Sequence, residues 1–232
     1  RKWAGNEEYI LDWGSEGEAI HRYHDVPLST NGAPMRGKAY FFQPSLAWSR
    51  IRTSDSSLRS HGPGLAYDST APSIFGEEGV RSVLLGLLNS VVVRHLLGAL
   101  SPTLDFRIAA LSNIPLPSGW REIDPSTVKE LESLARADWN TVELSWDFET
   151  MPWVPQDRAA DVRVADFWAT CADEFDALSD RARALEEENN RAFIKAYGLS
   201  DELDATVPLE RVSLQVNASW RFPSVDDPTS RR

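Results

Sequence analysis

Residues Pro72 to Pro117 read PSIFGEEGVRSVLLGLLNSVVVRHLLGALSPTLDFRIAALSNIPLP, and the fold turns on how this stretch is interpreted. Between Val80 and Leu100 it is apolar on nearly every side: Val83, Leu84, Leu85, Leu87, Leu88, Val91, Val92, Val93, Leu96 and Leu97. A helix apolar all round has protein neighbours on most faces. Arg81, Asn89, Ser90, Arg94 and His95 interrupt it too often for a bilayer span. The pattern predicts one central core helix over 79–100, and Ser101-Pro102 stops it.

The chain has 232 residues, of which 42% are hydrophobic, enough for a real core in one or two domains. Its start at Arg1 and its polar end, SVDDPTSRR, are expected to be cuts in a longer chain. With no signal peptide and no span, the expected location is the cytoplasm, away from membrane. One cysteine, Cys171, excludes an internal disulfide framework and a cysteine-cluster zinc site. On a helical seam it reads as core packing.

The net charge of −11 is unevenly placed. Residues 1–120 carry 11 basic and 11 acidic side chains, whereas residues 121–232 carry 13 and 24. Within 31–67, Arg36, Lys38, Arg50, Arg52 and Arg59 face one acid, Asp55, with His61 in addition. Local field decides what a groove attracts, so this segment is the candidate anion-facing patch.

Around it the sequence predicts short strands. EYILDW reads as one, followed by a short helix from about Glu16 to Tyr23. AYFFQPSLAWSRIRTS is aromatic and alternating: a strand at Tyr40–Phe42 ended by Pro44, then a second over LAWSRIRTS. Trp48, Arg50 and Arg52 would share one face of that second strand. LRSHGPGLAYD gives a further short pair around Gly62-Pro63-Gly64. A fork of guanidinium groups reads guanine edges or holds phosphates. The candidate DNA-binding residues are therefore Arg36, Lys38, Trp48, Arg50, Arg52, Arg59 and His61. The other reading is of ordinary surface arginines pairing with the acidic half.

Beyond the core helix, Leu104–Phe106 reads as strand-like, Ile108–Ser112 as a short helix, and the prolines of NIPLP as an extended exit. DPSTVKELESLARAD (124–138) is a helix capped by Asp124 with Pro125 in first position. WNTVELSWDFETMPWVPQD is expected to lie extended, pinned by its tryptophans. From about 157 to 197, Val164, Trp168, Cys171, Phe175, Leu178, Ala182, Leu185, Asn189, Ala192 and Ala196 step by 4,3,4,3, a sustained heptad seam closed by Gly198. That helix serves either as a spacer or partner-binding rod, or as one member of a bundle with the helix at 125–138.

Catalytic chemistry is scarce. SIFGEEG (73–79) resembles a cofactor loop but lacks its strand and acidic partner, and reads better as a helix start with Glu77 and Glu78 in the first turn. SNIPLP is not the Asn-Pro-Pro-aromatic signature of amino-group methylation, because Ile114 and Leu116 interrupt it. His21 and His24, three apart, lack further ligands nearby and read as solvated or capping residues, with no metal expected.

Several phrases occur together and in order: KWAGNEEYILDW, YFFQPSLAWSRI, GLAYDSTAPSIFG, LLGLLNSVVVRHLLGALSPTLDFRIAALSNIPLP, ELSWDF and NNRAFIKAYGLSDELDATVPLERVSL. They resemble the region after the catalytic domain in PglX-type adenine-specific DNA methyltransferases of BREX and phage growth limitation systems. The helix and NIP portion is also similar to the specificity domains of TaqI-like methyltransferases. The likeness covers almost the whole chain, most specifically at Leu87-Leu88-Asn89-Ser90, Leu111-Ser112-Asn113-Ile114-Pro115, Tyr197-Gly198-Leu199 and Glu202-Leu203.

The resemblance implies a target-recognition segment that reads double-stranded DNA beside an upstream methyltransferase domain. S-adenosylmethionine would be bound by the parent, with no cofactor and no catalysis in this segment. The alternative is an interaction module whose acidic helix docks other defence-complex subunits or a phage inhibitor. The expected architecture is α+β. A mostly antiparallel β unit with its core helix occupies 1–120, and a helical bracing region with one long helix occupies 121–232.

Overall fold

The computed structural model describes residues 1–32, 35–51, 57–100, 108–154 and 163–223. Its architecture is α+β: a three-stranded antiparallel sheet with seven helices among the described residues, one of them very long. The sheet order is β2 (Leu58–His61), β1 (Ser45–Trp48), β3 (Ser73–Phe75). Register is set by Ser45 opposite His61 and Phe75, and by Ala47 opposite Arg59 and Ser73. All four residues of β1 are buried, so both faces of the sheet are covered. Leu46, Trp48 and Leu58 join the helical core, while Ser45, Ala47, Arg59 and His61 alternate to the other face.

That sheet is smaller than expected. EYILDW pairs with no strand; the chain there is irregular until α1 (Gly14–Tyr23). Tyr40–Phe42 is not a strand either, because Gly37 (φ 77°) starts a single helical turn over Lys38–Tyr40 and Phe42 has φ 66°. The pair expected at 58–67 supplies only β2, and β1 ends at Trp48. The first three residues of SIFGEEG are themselves a strand, β3, but one that runs antiparallel to β1, unlike the parallel β-α crossover of a cofactor site.

The core helix is two helices. α2 (Glu78–Leu88) and α3 (Val91–Leu100) meet at a 68° bend across Asn89-Ser90. A bend frees backbone groups that need new partners. The Asn89 side-chain amide pairs with the Leu58 peptide, accepting its N–H at 2.9 Å and donating to its carbonyl at 3.0 Å. Val91 N–H donates to Asn190 Oδ1 at 2.8 Å. The turn thus exchanges intrahelical bonds for bonds to β2 and to the long helix. No single described helix is long and apolar enough to cross a membrane; α2 and α3 pass that test only as a pair, and both are largely buried in the protein core.

After α4 (Ile108–Ser112), α5 (Ser126–Trp139) is capped by Asp124, whose carboxylate accepts the Ser126 N–H at 3.0 Å. α6 (Val164–Tyr197) has 34 residues, about 50 Å at 1.5 Å per residue, and Gly198 ends it in the left-handed region at φ 70°. The segment expected to be extended after α5 is a run of turns through Ser145 and Phe148. Leu104–Phe106 lies outside the described residues, as do residues 155–162 at the expected start of α6.

Val128, Leu131 and Ala135 of α5 meet Ala182, Leu185 and Phe193 of α6 around α2. Arg181 grips Glu130 with two bonds, at 2.7 and 2.8 Å. At the crossing, Gly86 lets α2 approach so closely that a β-carbon would sit 2.6 Å from Asn189 Oδ1 and 2.7 Å from Val128 Cγ2. Asn189 Nδ2 donates to Gly86 carbonyl at 2.9 Å. The C-terminal tail closes the far side with Val207, Val212, Leu214 and a last short helix, α7 (Ala218–Arg221), capped by Asn217.

Two buried acids tie the N-terminal residues to this core. Asp138 accepts Arg1 Nη2 at 2.6 Å and the N–H groups of Gln215 and Val216 at 2.7 and 3.0 Å. Glu186 accepts Trp3 Nε1 at 2.8 Å and pairs with Lys2 Nζ. Trp3 then lies against β2, donating to Leu58 carbonyl (3.0 Å) and accepting from Ser60 N–H (2.7 Å). One hydrophobic core therefore draws on Trp3, the sheet, α2, α3, α5, α6 and the tail.

Candidate nucleic-acid interface

The seven sequence-nominated residues do not form one surface. Trp48, expected to project outward beside the arginines, is 1% exposed and belongs to the core, because its parity on β1 matches that of Leu46. Arg59 and His61 do share the opposite face of the sheet, but Trp3–Glu7 runs along that edge and covers them. His61 Nδ1 lies 2.8 Å from Glu7 Oε1 and the residue is 8% exposed. Arg59 Nη1 donates to Arg1 carbonyl at 3.5 Å, and burial holds its guanidinium below its usual pKa, against the pull of Glu7. Burial also pushes the Glu7 carboxyl up, but the His61 hydrogen bond and charge, with Arg136, outweigh it and leave the group below 4.5. Arg59 is therefore partly buried and His61 buried beneath the N-terminal segment, and of the strand face expected to carry Trp48, Arg50 and Arg52 the correction falls on Trp48, which turns inward.

Arg50 is half-buried just past β1, its N–H on Thr70 carbonyl at 3.0 Å, and is further engaged within the molecule. Arg52 lies outside the described residues. Arg36 is exposed, and Lys38 is partly covered: its ammonium donates to Leu28 carbonyl at 2.9 Å, approaches His21 Nε2 at 3.4 Å and stands 5.8 Å over the Trp13 ring.

What surrounds Arg36 and Lys38 was not read from the sequence as a site. The turn at 38–40 is pinned to the next loop by Phe42 N–H on Leu65 carbonyl (2.7 Å) and Gly64 N–H on Phe42 carbonyl (3.2 Å). Tyr40 stacks on Phe75 at 5.0 Å and 26°, and Tyr67 meets Phe75 edge-on at 5.6 Å. The Tyr67 hydroxyl accepts from Ser45 at 2.7 Å; burial raises its pKa. Trp13 meets Phe41 and Phe42 at 5.4 and 5.3 Å. Tyr40 is 52% and Phe42 38% exposed. The result is a fixed loop surface of planar rings with the Lys38 ammonium over one of them and the exposed Arg36 two residues earlier in the chain, a combination suited to base or sugar stacking beside phosphate contact. The sequence cue was the run Tyr40-Phe41-Phe42 itself, which was absorbed into a strand that does not form.

His21 and His24 part company: His21 is buried against Lys38, while His24 is exposed and edge-on to Tyr23. Among the described residues no group of three or more His, Cys, Asp or Glu is placed to hold a metal. Cys171 is buried, its thiol against Pro152 carbonyl at 3.7 Å and raised in pKa by burial and Glu174, as core packing requires.

A chain of these proportions, an α+β unit bearing a ring-and-cation loop surface, is homologous to a region of adenine-specific methyltransferases. It is 32% identical over 225 residues to the adenine-specific methyltransferase PglX of Lacticaseibacillus casei (strain Zhang), across 92% of this chain and 18% of that protein. It is 24% identical over 225 residues to the adenine-specific methyltransferase BrxX of Escherichia coli O9:H4 (strain HS), across 96% of this chain and 17% of that protein. The chain thus spans less than a fifth of the length of these curated relatives. No protein-family model matches it.

Proposed function

We propose that this chain is the DNA target-recognition segment of an adenine-N6 methyltransferase in a phage-defence system. It would read bases near the methylated adenine, while a separate catalytic domain of the parent binds S-adenosylmethionine and holds the flipped base. The observation that carries this reading is the homology over nearly the whole chain, at a small fraction of the relatives' length. The surface that supports it is the loop carrying Arg36, Lys38, Tyr40 and Phe42. Arg50, just past β1, remains a candidate, and Arg52 remains one by sequence alone; Trp48, Arg59 and His61 act from within, holding the sheet that carries the loops.

The segment itself would perform no methyl transfer and would reside in the cytoplasm with its parent. The test is an exchange of this segment between two parent methyltransferases of different sequence preference, with the methylated motif read by sequencing. The motif is expected to follow the segment. If it follows the remainder of the enzyme, the reading is wrong. With the isolated chain, duplex binding should weaken as salt rises and fall further in Arg36→Ala plus Lys38→Ala.

A further inference from the structure

One cavity lies far from the sheet in sequence, between the first half of α6, the turns at 141–154 and α7. It has a volume of about 410 Å³, and its walls include Trp153, Trp168, Phe175, Met151, Val216 and Phe222. Three of these, Trp153, Trp168 and Phe222, are each more than 40% exposed, an unusual state for rings that line a hollow. Apolar exposure continues along α6, from Val164 through Trp168 to Leu178. These residues stand on one stripe of the helix, about 21 Å long at 1.5 Å per residue. Half of the heptad seam is therefore without a partner helix in this chain's described residues.

The segments that form the groove are net acidic. Residues 143–154 and 163–180 hold Glu143, Asp147, Glu149, Asp166, Asp173, Glu174, Asp176 and Asp180 against Arg163. Two of the acids are paired, Asp166 with Arg163 at 2.9 Å and Asp180 with Arg183 at 3.0 Å, and the others outnumber the basic groups. Glu143 and Asp176 line the cavity itself; Arg221, stacked over Phe222 at 5.2 Å, is the basic member of the lining. An acidic rim around an aromatic trough repels a phosphate backbone, so nucleic acid is a poor occupant. It complements a helix with apolar anchors at i, i+3/i+4 and i+7 and lysine or arginine on its flanks.

We propose that this groove docks a separate protein through a basic amphipathic helix, with one or two large apolar side chains seated between Trp153, Trp168 and Phe222. The surface is distinct from the loop assigned to DNA, so each can fail without the other.

The test titrates the 232-residue chain with three helical peptides of about 15 residues: leucine and lysine at heptad spacing, the same with glutamate for lysine, and a lysine–alanine control. The leucine–lysine peptide should bind and weaken as salt rises. It should lose about tenfold or more in Trp168→Ala, which removes an exposed ring but no charge. Glu143→Lys plus Glu174→Lys should weaken it too, with an unchanged unfolding temperature as the folding control. Equal binding of the glutamate or alanine peptide, or binding indifferent to Trp168→Ala, overturns the proposal. So does sedimentation showing that the chain self-associates through this face and that Trp168→Ala abolishes the dimer, since the occupant is then a second copy.

Discussion

The two halves of α6 carry one repeat in the sequence and have two fates in the fold. From Ala182 onward, Leu185, Asn189, Asn190, Phe193 and Ile194 are buried against α2, α3 and α5. Before Ala182 only Cys171 and Ser179 are buried, and Trp168 stands 44% exposed. Periodicity announces that a helix has an apolar side; it does not say whether anything packs there. The buried half serves as the fold's spine, and the open half is surplus to it.

Mutation can break that contrast. Phe193→Ala, at 1% exposure, should cost about 3–5 kcal/mol in urea unfolding. Gly86→Ala forces a methyl group against Asn189 and Val128 and should cost about 1–3 kcal/mol by the same measurement. Asn190→Ala leaves the Val91 N–H buried without its acceptor, for about 1–3 kcal/mol, and should raise hydrogen exchange at the start of α3. In the open half Trp168→Ala should cost about 1 kcal/mol or less; a loss matching Phe193→Ala would mean the two halves are not different in kind.

The sealed edge of β2 offers a pH test. Glu7 has a folded pKa below its ordinary 4.5, so its contribution to stability is complete above that value and disappears as pH falls through the folded one. Thermal unfolding followed from about pH 5 down to pH 3 should show this acid limb in the parent chain and a shallower one in Glu7→Gln. An identical limb in the variant would show that the Glu7–His61 pair is not what closes this edge.

Much of the helical framework was legible. The Asp124 cap, the 4,3 spacing of α6 and the Gly198 stop are local features, and the α+β class follows from them together with the short apolar runs around Ala47. The last turns of α6 already depart from the reading. A strict heptad points to Ala192 and Ala196, whereas the buried residues are Phe193 and Ile194, because a helix of 3.6 residues per turn drifts off a 3.5 repeat. The candidate site was less legible. Arg36 and Lys38 were nominated from charge, but the aromatic surface beside Lys38 comes together only when residues 13, 40–42, 67 and 75 meet in space.

Sequence alone determined where this chain turns helical, where those helices stop and which relatives it shares its region with, since all three are written in residue order. Tertiary structure decided that the apolar run breaks at Asn89-Ser90, that Trp48 and His61 are buried and Arg59 partly covered, and that the acidic groove stays open. Each of these depends on a partner supplied from elsewhere in the chain: Leu58 and Asn190 for the bend, Glu7 for the sealed edge, Leu46's core for Trp48. A side chain's exposure and charge environment are properties of its neighbours in space, and neighbours 30 to 100 positions away leave no mark on the local pattern.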